Sequence, residues 1–192
     1  MGDSVSYKDW YIPFKREGLT LLQAYDDLQR VGAGQAEIPF IVKLVENPNL
    51  SLPGLKIFHG AVELKQHDMI HLILGRGLLE IDEAFTIGFT MGSTKKVTTT
   101  EETLFTMISQ YLYPDEYKFR EDAIAIFKDA VRLGSISACQ PLDTVDFEPY
   151  LNTSLKDIRH AIGLEEKLIL AYYEIEKARY PESVASQRLL DK

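Results

Sequence analysis

Residues Gln66–Ala84 read QHDMIHLILGRGLLEIDEA. Met69, Ile70, Leu72, Ile73 and Leu74 cover most directions around a helix, the pattern of a helix enclosed by a core rather than one resting on a surface. Into this apolar run the sequence sets His67, Asp68 and His71. At about 100° per residue, His71 falls about 40° and Asp68 about 100° round from His67, so the three side chains share one arc. A buried carboxylate is costly unless a cation or several donors face it, so Asp68 calls for compensation. Two histidines at i and i+4 form a recurrent metal-binding spacing, because both imidazoles reach one ion at about 2.0–2.1 Å.

Glu83 lies twelve residues beyond His71, about 18 Å along an unbroken helix. Gly75-Arg76-Gly77 provides the break: the first helix ends there, and a second helix over Leu78–Phe89, packed back against it, returns Glu83 or Asp82 toward the histidines. Two histidines and two carboxylates suit a divalent metal, zinc first, with iron, manganese or magnesium as alternatives. Four protein ligands make a closed, structural site. With one carboxylate outside, a position opens for water or substrate, and Glu83 or Asp68 can serve as general acid or base. The plainer alternative is a pair of hydrogen-bonded histidines with Asp68 as a local partner. A metalloprotease fits poorly, since Asp68 stands where HExxH has the longer Glu. A metal-dependent hydrolase of the HD phosphohydrolase kind would need His59 as a further ligand, only eight residues before His67.

Outward from this stretch, Gly and Pro divide the chain into helix-length blocks without internal repeats. Residues 19–30 carry Leu19, Leu22, Tyr25 and Leu28 on one stripe, and Phe40, Ile41, Leu44 and Val45 form another before Asn47-Pro48. Residues 49–64 read as a short hairpin or an irregular lead. Thr99 and Glu102 suggest a capping box for a helix with Leu104, Phe105, Ile108 and Leu112, ended by Pro114. The stripe Ile124, Phe127, Ala130 and Val131 is expected to close at Gly134. Ser154 caps Leu155–Ile162, and 165–180 places Leu168, Leu170 or Ala171, Tyr172 and Ile175 inward. Gly88 and Gly92 leave room beside an apolar helix, for a ligand or for a close helix contact. The expected fold is all-α: one domain of six or more helices over 1–192, with 165–192 a helical extension and a tail that has little to pack.

A net charge of −8 without basic clusters argues against nucleic acid. Cys139 is the only cysteine, which suits a reducing compartment. MGDSVSYKDW has neither an apolar signal region nor an Arg-rich presequence, and no apolar run approaches the ~20 residues of a membrane span, so a cytoplasmic protein is expected. The first six residues fit an N-myristoylation pattern weakly.

His67-Asp68-x-x-His71, eleven residues, then Glu83 resembles the HDxxH-x11-E motif of the coenzyme Q biosynthesis protein 4 family. SLKDIRHAIGL, residues 154–164, is similar to that family's late helix in Leu155, Ile158, Arg159, Ile162 and Gly163, with Ser154 in place of proline. The resemblance implies an all-helical fold, a metal held by His67, Asp68, His71 and Glu83, and an apolar tunnel for an isoprenoid tail in a homodimer. It implies a role in ubiquinone biosynthesis: decarboxylation and hydroxylation at C1 of a prenylated benzoquinone precursor, or holding quinone-pathway enzymes together. Peripheral membrane contact would accompany such a substrate. A non-enzymatic prenyl-lipid-binding or scaffold protein with a structural metal is the alternative from another class.

Overall fold

A computed structural model describes residues 6–32, 59–60, 62–107, 109–110 and 118–191. The expected stripe 40–45, the lead over 49–58, Ile108, Leu112, Pro114 and the first five residues lie outside these. Among the described residues the chain is all-α, without strand or sheet. Its helices are α1 (Leu21–Gly32), α2 (Leu64–Leu74), α3 (Glu80–Ser93), α4 (Thr99–Met107), α5 (Glu121–Ile136), α6 (Leu155–Ala161), α7 (Glu166–Arg179) and α8 (Val184–Gln187). None is long and apolar enough to cross a membrane.

The break predicted at Gly75 is a Schellman turn. Gly75 takes φ +67°, the left-handed conformation open to glycine, and its N–H bonds Leu72 O while Arg76 N–H bonds His71 O. Two carbonyls of this last turn would remain bare in the interior. Arg159 donates to Ile73 O at 2.8 Å, and the Tyr173 hydroxyl donates to Leu74 O at 2.5 Å. Arg159 also donates to Phe14 O at 2.6 Å and lies over the Phe14 ring. Helix α2 is thus anchored at its end by residues from α6 and α7, far along the chain.

Helix α3 starts at Glu80, where Asp82 accepts the N–H of Leu79 and three acidic residues occupy the first turn, favourably placed on the helix dipole. It runs past the expected end at Phe89 to Ser93 because it lies directly against α5. A Cβ at Gly88 would stand 2.5 Å from Phe127 O, one at Gly92 2.1 Å from Val131 O, and one at Gly134 2.4 Å from Phe89 O. The glycines are therefore a backbone-to-backbone contact between helices, and the space beside Gly88 and Gly92 is taken by α5. For the same reason Gly134 does not stop α5, which continues to Ile136.

Other elements shift by a residue or a face. Thr98, not Thr99, caps α4: its hydroxyl accepts from Glu101 N–H at 3.2 Å and Glu101 accepts the Thr98 N–H at 2.9 Å. Helix α1 turns Leu21, Ala24 and Leu28 inward and leaves Leu22 exposed. Ser154 caps α6 by accepting from Asp157 N–H, as read from the sequence. Helix α7 buries Ile169, Tyr172, Tyr173 and Glu176 and exposes Ile175. The tail is packed: Ala185 and Leu189 are buried, and Ser186 and Arg188 enter the interior beside α3 and α7.

Candidate metal centre

The break folds Glu83 back as the spacing requires. His67 Nε2 lies 3.0 Å from Glu83 Oε2 and 3.0 Å from His71 Nε2, and His71 Nε2 lies 3.3 Å from the same carboxylate oxygen. All three residues are buried. Among the described residues these form a group of three ligand atoms, all within 4.8 Å of one another, that could hold a metal ion.

Protons alone leave this triangle frustrated. With a proton on each Nε2 both rings can donate to Glu83 Oε2, but the two donor nitrogens then stand 3.0 Å apart, and with a single proton the bare Nε2 of the other ring faces the carboxylate. One cation at the shared point is attracted by all three. Ligand atoms about 2.0–2.1 Å from one ion are roughly 2.9 to 3.4 Å apart, which the observed edges match. The residues therefore fit a divalent ion.

Asp68 falls outside the triangle. Its half-buried carboxylate accepts a bond from Gln29 of α1 at 3.4 Å. Burial pushes its pKa up to about 6, with the Glu83 charge adding to the rise and His71 and His67 opposing it. Burial also disfavours charge on Glu83, but His71 and His67 outweigh it and hold that carboxyl well below the usual range. His71 shows the reciprocal effect: burial works against its cation, yet the Glu83 carboxylate, with Asp68 and Asp82 behind it, raises its pKa.

Other candidates lie elsewhere. His59 is exposed and paired with Glu101 at 2.7 Å, so it does not join the group. Asp82 turns to Arg188, 2.6 Å away, and lies 3.9 Å from Arg76. Arg76 is enclosed between the rings of Phe85 and Tyr173 and grips Glu176 with two bonds of 2.9 and 2.6 Å. Reasoning from sequence missed this second cluster, although a lone arginine between two glycines in an apolar run was its visible trace. It also missed Thr86, whose hydroxyl lies 3.4 Å from His71 Nδ1. Its signal was the three-residue step from Glu83 along one helix face.

No protein-family model matches the sequence, and neither a curated protein nor a solved structure does so. Fold and site define an all-α chain with a buried His-His-Glu group able to hold a metal.

Proposed function

We propose that the chain binds a divalent metal, zinc first, at His67, His71 and Glu83, and acts there on a prenylated quinone precursor or a related isoprenoid aromatic. The reading as an enzyme of ubiquinone biosynthesis is supported by the HDxxH-x11-E motif together with the helical setting of its residues. The observation that carries it is the convergence of three buried ligand atoms while Asp68 stands outside them. Three protein ligands leave a coordination position for water or substrate, the arrangement of catalytic sites, whereas structural sites use four. A bound ion there would supply a Lewis acid for a substrate carboxylate or ring oxygen as carbon dioxide leaves.

The remaining work falls to side chains. Glu83, held ionised between two histidines, serves as a ligand and carries no proton. Asp68, beside the group and partly open, is placed to move the proton that replaces or accompanies the departing carboxyl. Homodimer formation, docking of other quinone-pathway enzymes and peripheral membrane contact belong to the same proposal.

The test is metal analysis of untagged protein, with mass spectrometry of its organic-solvent extract. About one zinc per chain and a co-purified prenylated aromatic are expected. Protein that holds no metal, as purified and after reconstitution, overturns the proposal; metal with only short polar metabolites overturns the isoprenoid half. Asp68→Asn separates enzyme from scaffold. It should keep zinc while turnover falls roughly 10²- to 10⁴-fold; unchanged turnover would refute the role of Asp68.

A further inference from the structure

Helix α3 meets the His71 ring at both nitrogens. Glu83 Oε2 lies 3.3 Å from Nε2. Three residues later, on the same face of the helix, Thr86 Oγ1 lies 3.4 Å from Nδ1. His71 and Thr86 are both 0% exposed, so bulk water does not reach either partner.

A neutral imidazole carries its proton on one nitrogen and a lone pair on the other. If Nε2 is to present a lone pair to the point shared with His67 and Glu83, Nδ1 must carry the proton. In a dry interior that N–H costs stability unless an acceptor faces it. The Thr86 hydroxyl oxygen is the acceptor within reach.

We propose that Thr86 is a positioning residue for the metal centre: it accepts the Nδ1–H of His71 and so holds the ring in the tautomer whose Nε2 lone pair faces His67 and Glu83. The inference rests on the metal reading of that group. Ligating histidines commonly bond an acceptor through the second ring nitrogen, and loss of such a partner weakens metal binding by roughly 10- to 100-fold. Here ligand and orienting residue come from one helix, so the register that delivers Glu83 also delivers Thr86. Valine at 86 would keep the shape and remove the acceptor, while serine would keep the acceptor.

The experiment measures zinc affinity of the full chain by competition with a chromophoric chelator, for wild type, Thr86→Val and Thr86→Ser. Thr86→Val should bind about 10- to 100-fold more weakly and Thr86→Ser within about threefold of wild type. Nitrogen-15 spectra of zinc-loaded wild type should place the ring proton of His71 on Nδ1. Wild-type affinity in Thr86→Val, equal weakness in both variants, or a His71 bound to zinc through Nδ1 would each overturn the inference while the metal reading stands. A wild type that takes up no zinc overturns both. The ring-proton measurement requires no variant, so a Thr86→Val chain that failed to fold would leave the test in place.

Discussion

On one side of the Gly75-Arg76-Gly77 turn, Arg76 and Arg188 face Asp82 and Glu176, two cations against two anions, all buried. On the other, two imidazoles and the Glu83 carboxylate point at one spot. The first cluster balances its charge within the chain, although Asp82 Oδ1 and Arg188 Nε have no hydrogen-bond partner among the described residues. The second brings three potential ligand atoms to one shared point, with a single carboxylate against two imidazoles. Burial and proximity are similar in the two, so neither property separates scaffold from site. Pairing of opposite charges in one, and convergence of three ligand atoms in the other, separates them.

The largest effect that would break this contrast is expected at Arg76. Arg76→Met leaves Glu176 as an uncompensated buried charge and should cost about 3–5 kcal/mol in urea unfolding. A loss under about 1 kcal/mol would mean that water reaches Glu176 and that the cluster is not closed.

A smaller effect of opposite sign is expected at Asp68. Its folded pKa, about 6, lies above the ordinary 3.8, so the folded chain binds the proton more tightly than the unfolded chain does. Ionisation therefore penalises folding of the metal-free protein. The penalty is absent below about pH 4, grows between about pH 4 and 6, and is complete above. Asp68→Asn should stabilise metal-free protein on the order of 2 kcal/mol at pH 7 and not at pH 3.5. A gain independent of pH would assign it to packing instead.

The smallest is at Ser186, whose hydroxyl donates to Glu176 at 3.0 Å. Ser186→Ala should cost about 1 kcal/mol, since Arg76 still holds the carboxylate. The loss should be equal with and without zinc, and zinc affinity should not move. A change in affinity would couple the two clusters through α3.

The convergence of His67, His71 and Glu83 was legible because local geometry defines it. Helical spacing aligns His67 with His71, and Gly75 supplies a left-handed turn that few other residues adopt. Asp68 shares the arc but stands outside the group of three, because that arc is wide enough for its carboxylate to reach Gln29 of α1. Arg76 required knowledge of Glu176, a hundred residues away, and period alone could not choose between Ile175 and Glu176 as the inward residue of α7. The glycines of α3 posed a question with two answers, ligand or helix, and only the position of α5 decides it.

The Schellman turn at Gly75 also orders events in time. His67 and Glu83 are sixteen residues apart, whereas Arg76 and Glu176 are separated by one hundred. Closing the longer loop costs about 1.5 kcal/mol more chain entropy, and contacts between distant residues slow folding. The α2–α3 hairpin therefore can gather its three ligand atoms before α7 and α8 arrive. Any ion that this group holds would be bound within a short local segment, so its ligands could assemble while the C-terminal helices are still unbound.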